Sequence, residues 1–251
     1  MPRATQTRPT VEAPPRVRRG YFECRYGQLH VHNAMPPGGG FEEGTPLLCL
    51  HDLDLGSSGR VFTRLMAQAG RDRSVYAPDV PGFGESDPPP VRPALADYAN
   101  ALGDFLDSLR LRHVAVLGLR GGALLATELS LARPQQISRL VLLSVPLLRE
   151  AERPSPGVAP APAGPESAFR PPQWQRWALE AAAQYPLRER LARLTQRVLV
   201  LRPRDDLWEA SGRARDVLPA ARVSELDQPA LELLAAAPQR IAEGMREFLR
   251  S

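Results

Sequence analysis

"VAVLGLRGGALLATELS", residues 114–130, carries an apolar strand pattern directly into a helical one through Gly118-Leu119-Arg120-Gly121-Gly122. The glycine spacing is that of G-x-S-x-G, a sharp turn that lifts one side chain above the end of a buried parallel strand. Arg120 takes the place of the serine. A guanidinium stays protonated at physiological pH and offers no lone pair, so it cannot attack a carbonyl carbon. The stretch has the spacing of a reactive centre around a residue that cannot play the nucleophile.

Outward from this turn, strand and helix patterns alternate. Upstream, "GYFECRYGQLHVHNAMP" alternates about Tyr26-Gly27 and reads as two strands and a turn, and "TPLLCLHD" is a short buried strand. "GRVFTRLMAQAG" (helix), "RSVYAPD" (strand) and "ADYANALGDFLDSLR" (helix) lead up to the turn. Downstream come "ISRLVLLSVP" and "RVLVLRP" as strands, "ASGRARDVLP" as a helix, "ARVSELD" as a strand and "PQRIAEGMREFL" as a helix. This order predicts an α/β fold with a mostly parallel central sheet and helices on both faces.

Composition excludes some functions. The chain has 251 residues, of which 43% are hydrophobic and 24% charged, which is ample for one large core. All 32 basic residues are arginine, so no mechanism that needs a lysine amine can operate. The net charge of +4 is local: residues 1–20 hold Arg3, Arg8, Arg16, Arg18 and Arg19 against Glu12. Residues 1–19 are therefore expected to be a disordered, solvated basic tail, with the folded domain over 20–251. No basic patch interleaved with aromatics points to nucleic acid, and no apolar run is long enough for a membrane span. Cys24 and Cys49 are expected as separate thiols in a reducing cytoplasm.

Residues 149–190 interrupt the alternation. They open with the low-complexity "RPSPGVAPAPAGPESAFRPP", whose prolines block helix and sheet pairing. The helical "QWQRWALEAAAQY" follows and stops at Pro186; Trp174 and Trp177 share one of its faces and are expected to dock it on the main domain.

Three motifs in the same order carry a resemblance: "LLCLHDLDLGSSGRVF", "YAPDVPGFGESDPPP" and the turn at Arg120. In the second, Asp79, Pro81, Gly82, Gly84, Ser86 and Asp87 fit D-x-P-G-x-G-x-S-D. From about Gly20 to the C-terminus, the chain resembles the α/β-hydrolase superfamily, in its esterase, dehalogenase and epoxide-hydrolase-like branch. The resemblance implies that residues 149–190 are a short, Pro-rich cap. It also implies a nucleophile, an acid and a histidine in that chain order, with backbone oxyanion donors.

Those positions fall on Arg120, Asp206 and Leu231, the last within residues 230–236 in the loop that the resemblance implies after the final strand, so only the acid is retained. All four histidines, His30, His32, His51 and His113, precede the turn. Asp52 follows His51 where the family has glycine, which brings a carboxylate to the oxyanion loop. The Leu53 and Gly121 amides remain as donors. An unpaired buried guanidinium costs several kcal/mol, so Arg120 is expected to reach Asp206, Asp52 or both.

The pocket is accordingly assigned to His51, Asp52, Leu53, Arg120, Gly121 and Asp206. The leading expectation is a pseudoenzyme that binds a small or anionic molecule, or a protein partner or second copy through the cap. A second is a lyase, isomerase or cyclase using Arg120 and an aspartate. A third is a conventional ester or amide hydrolase built on Ser57, Ser58 or Ser144, which requires a different elbow. No cofactor is expected. No metal is expected either: His30 and His32 point to one strand face, read as a solvent-exposed hairpin face without an evident third ligand.

Overall fold

The computed structural model describes residues 14–36, 44–152 and 172–250. Eight strands form one sheet in the order β1-β2-β4-β3-β5-β6-β7-β8. They are β1 (Arg18–Cys24), β2 (Gly27–Ala34), β3 (Leu47–Leu50), β4 (Val75–Pro78), β5 (Val114–Leu119), β6 (Ile137–Leu143), β7 (Arg197–Pro203) and β8 (Arg222–Leu226). The β1–β2 and β2–β4 pairs are antiparallel and the remaining pairs are parallel. The expected α/β-hydrolase fold is present, with a mostly parallel sheet.

Nine α-helices lie among the described residues: α1 (Thr63–Ala69), α2 (Leu95–Ser108), α3 (Gly121–Ala132), α4 (Gln173–Gln184), α5 (Leu187–Leu191), α6 (Trp208–Gly212), α7 (Ala214–Val217), α8 (Ala230–Ala236) and α9 (Pro238–Arg250). The sheet separates two hydrophobic clusters. Val114 and Val116 of β5 join one with α2 and α3; Ala115, Leu117 and Leu119 join the other with α1, α8 and α9. Period-two alternation thus sends successive residues of a continuous apolar strand to opposite cores, as a two-sided sheet requires. In α9, Ile241, Met245, Phe248 and Leu249 are buried at helical spacing, so that helix closes one face.

Several boundaries differ from expectation. The fold begins earlier than Gly20, because Arg18 and Arg19 pair with Asn33 and His32 as strand residues. Residues 1–13 of the expected tail and the low-complexity residues 153–171 lie outside the described residues. The helix expected after β7 is broken into α6 and α7. Residues 230–236, expected as a loop, form α8, whose Leu233 and Leu234 are buried. Pro229 before it carries no amide hydrogen, which suits a helix start.

Helix α4 does dock on the main domain. Trp174 lies over Gly82, where an added Cβ would come within 2.6 Å of its ring. Gln175 bridges the Gly56 amide at 3.3 Å and the Gly82 carbonyl at 3.5 Å, tying the helix to both loops above the sheet. Among the described residues, Tyr21, Val91 and Leu231 are the exposed large hydrophobics.

Candidate active site

Strand β5 delivers Arg120 in a strained conformation, φ 51° and ψ −113°, between the last strand residue and the first turn of α3. Such a backbone costs about 1–3 kcal/mol in a non-glycine residue and persists only when its surroundings enforce it. Here they do. The Arg120 amide donates to the Leu143 carbonyl at 2.9 Å, and its carbonyl accepts from the Ala123 amide at 2.9 Å. A Cβ on Gly118 would meet the Gly122 carbonyl at 2.5 Å, and one on Gly122 would meet the Leu50 carbonyl at 2.2 Å. The motif's two outer glycines are therefore set by strand–helix contact, whatever residue stands between them.

The Arg120 side chain binds both expected carboxylates. Its Nε donates to Asp52 Oδ2 at 3.0 Å, and its two terminal nitrogens donate to the Asp206 oxygens at 2.7 and 2.8 Å. Asp205 lies 4.0 Å away, so one cation faces three acids. Hydrogen bonding to Asp206 holds the guanidinium above its ordinary pKa, and the same bonds hold the Asp206 carboxyl below its own. Asp52 shifts the other way: burial raises it, outweighing the pull of the Gly121 amide and Arg120. The acids differ because the Asp206 side chain is 67% exposed and that of Asp52 only 21%.

Asp52 also changes the oxyanion loop. Its Oδ1 accepts the Leu53 amide at 2.8 Å and the Gly121 amide at 2.9 Å. The two donors expected to remain open are thus both held by an internal carboxylate. His51 is fully buried; its Nε2 accepts from the Val80 amide at 2.9 Å and its Nδ1 lies 2.6 Å from the Asp52 carbonyl. Burial pushes its pKa down, so it is a neutral ring with both nitrogens engaged. Leu231, on α8, lines a cleft of about 380 Å³ with His51, Asp52, Asp54, Ser57 and Arg60.

The serines give no substitute elbow. Ser144, left-handed at φ 57° and fully buried, bonds Asp205 at 2.6 Å rather than a histidine. Ser57 and Ser58 border the cleft beside His51, whose nitrogens are already used. His113 precedes β5, at the opposite end of the strand from Arg120, about 20 Å away at 3.3 Å per residue. The sequence reading passed over the part of Asp205, which anchors Ser144 and adds charge beside Arg120; its adjacency to Asp206 was the available signal.

A second polar cluster lies on the strands beside this site. His30 and His32 are 2% and 7% exposed, so the expected solvent-exposed face is in fact buried. Strand β2 is interior, between β1 and β4, and the turn after β4 covers it. That turn also supplies a third group: Asp79 Oδ2 is 2.9 Å from His30 Nδ1. A third candidate group thus stands beside the two histidines, where none was evident from the sequence. Antiparallel pairing brings Asp79 to His30, a contact that sequence spacing does not reveal.

A family profile for the alpha/beta hydrolase fold matches residues 45–224. The chain belongs to that family. It is 31% identical over 132 residues to an uncharacterized carboxylesterase of Bacillus subtilis, covering 52% of this chain and 42% of that protein. It is 34% identical over 134 residues to a 2-hydroxy-6-oxononadienedioate/2-hydroxy-6-oxononatrienedioate hydrolase of Pseudomonas putida, covering 51% and 43%. The matches thus span less than half the length of either relative. Among solved structures, a hydrolase of Pseudomonas aeruginosa superimposes with a TM-score of 0.73 at 21% identity, covering 93% of this chain and 98% of that one. At that identity the likeness concerns the fold. No helix among the described residues is long and apolar enough to cross a membrane.

Proposed function

We propose that this α/β-hydrolase-fold chain is a non-hydrolytic binding protein, with an ion-pair network in place of a catalytic triad. The observation that carries the reading is the double substitution at the reacting centre. A guanidinium fills the nucleophile's position, and the Asp52 carboxylate takes the amides that would stabilise an oxyanion. Oxyanion stabilisation is commonly the largest single contribution to acyl transfer, and a fixed negative charge there opposes it.

The same contacts weigh against a lyase, isomerase or cyclase. A general base needs a free lone pair and a pKa near the working pH. Asp206 is chelated by Arg120 and shifted down, while Asp52 already accepts two amides and the guanidinium. Nor does the charge favour a purely anionic ligand, because three aspartates surround the one arginine. The cleft between Leu231 and His51 instead suits a small polar molecule or a partner's side chain.

The test is turnover of activated short- and medium-chain esters by the purified full chain and by Arg120→Ala. Hydrolysis is expected to match the buffer blank in both. Turnover that scales with wild-type protein and vanishes in Arg120→Ala would overturn the reading.

A further inference from the structure

The cluster on β2 is distinct from the Arg120 network and has an unmet need. His30 Nδ1 faces Asp79, whereas His30 Nε2 is buried and has no hydrogen-bond partner. His32 follows two residues along the strand, on the same face, with its ring edge-on to His30 at a centroid separation of 4.8 Å. One donor atom each from His30, His32 and Asp79 lie within 4.8 Å of one another. They border a cleft of about 600 Å³, also lined by Ser58, Thr63 and Glu85.

We propose that His30, His32 and Asp79 form a binding site for one divalent first-row transition-metal ion, of the zinc class. Two imidazoles and a carboxylate are borderline nitrogen and oxygen donors, which suit such an ion better than magnesium or calcium. Three protein ligands leave a fourth position for water from the cleft. Donor atoms around a tetrahedral zinc stand about 3.4 Å apart, given bonds of about 2.0–2.1 Å, so modest side-chain rotation closes the site.

Backbone amides already hold the Asp79 carboxylate. Asp79 Oδ1 accepts the Gly59 amide at 2.7 Å, and Oδ2 accepts the Glu85 amide at 3.0 Å along with His30. Ligation through His30 Nδ1 replaces its contact with Asp79 Oδ2, while the Gly59 and Glu85 amides keep the carboxylate in place. Arg19 and Arg60 border the same cleft and oppose a cation, but both are exposed and balanced by Asp79 and Glu85. A bound ion would clamp β2 to the turn after β4 and, through Gly59, to the loop that carries Asp52.

The proposal is tested on the untagged full chain, stripped with a chelator and titrated with zinc chloride by calorimetry. Metal content after dialysis is read alongside the melting temperature. About one zinc per wild-type chain is expected, with Tm raised by about 5–10 °C at 100-fold excess over Kd. His32→Ala is expected to lose at least about 100-fold in affinity, at or beyond the upper end of the 10–100-fold range for loss of a supporting partner. The exposed-site variant His113→Ala is expected to bind as wild type. His32→Phe, which keeps the volume, guards against simple misfolding of the alanine variant. No uptake by wild type, or equal affinity in folded His32→Ala or His32→Phe, would overturn the site.

Discussion

Around Arg120, the guanidinium meets two carboxylates, and the more buried one, Asp52, also takes two backbone amides. Around His30, one ring nitrogen has an acid partner and the other has none. The first cluster is half-open to solvent and fully partnered; the second is nearly sealed and is not. Charge count alone would rank the Arg120 network as the stronger feature. Burial reverses that order, because water screens an exposed pair and cannot rescue a buried one.

The comparison can be broken by stability measurements. Asp79→Ala is expected to have the largest effect, since it removes the acceptor of the Gly59 amide, the Glu85 amide and His30. A loss of about 3–5 kcal/mol follows from orphaning these donors, or about 6–20 °C in Tm for a domain of this size. Chemical denaturation would check it, and a loss below that of Arg120→Ala would invert the ranking proposed here.

Arg120→Ala comes next, at about 1–2 kcal/mol after allowing for partial exposure. What remains is a half-buried Asp52 carboxylate without its cation, so adding Asp52→Asn is expected to recover part of the loss. Additive losses in the double variant would mean that the pair is not coupled.

Asp206→Asn sharpens the same point with pH. Its exposed carboxyl contributes under about 1 kcal/mol at neutral pH. Because the folded pKa is depressed, that contribution is present above the unfolded value of about 3.9 and is lost as pH falls through the folded one. The wild-type advantage over Asp206→Asn should therefore be flat above about pH 5 and vanish in acid. An advantage that grows on acidification would have the wrong sign. The smallest effect is expected for Leu231→His: the side chain is 54% exposed, so stability should move by no more than about 0.5 kcal/mol. Ester turnover should stay at the blank, since a histidine alone leaves Arg120 and Asp52 in place.

Much of this architecture was legible because local pattern and tertiary role agree. Continuous apolar runs such as 114–119 and 198–201 became interior strands, and the spacing of α9 became its buried face. The contact of Arg120 with Asp52 and Asp206 followed from the cost of an unpaired guanidinium. What escaped was set by the third dimension. Helix α8 was hidden because family spacing made residues 230–236 a loop, yet Leu233 and Leu234 had a core to fill. The burial of His30 and His32 depends on β1 pairing outside β2, which alternation along β2 cannot register. The capture of both amides by Asp52 turns on the rotamer of one side chain.

That capture bears on ancestry and on engineering. Replacing Arg120 with serine would leave a carboxylate seated among the oxyanion donors, and replacing Asp52 with glycine would leave a guanidinium at the elbow. Neither step supplies a histidine, and His51 is locked between a carbonyl and an amide. Building a serine-hydrolase centre here would take at least three changes together: at Arg120, at Asp52 and at a position that can supply a histidine. The side chains around Arg120 thus hold one another in place: changing Arg120 or Asp52 alone leaves the other's charge unmatched.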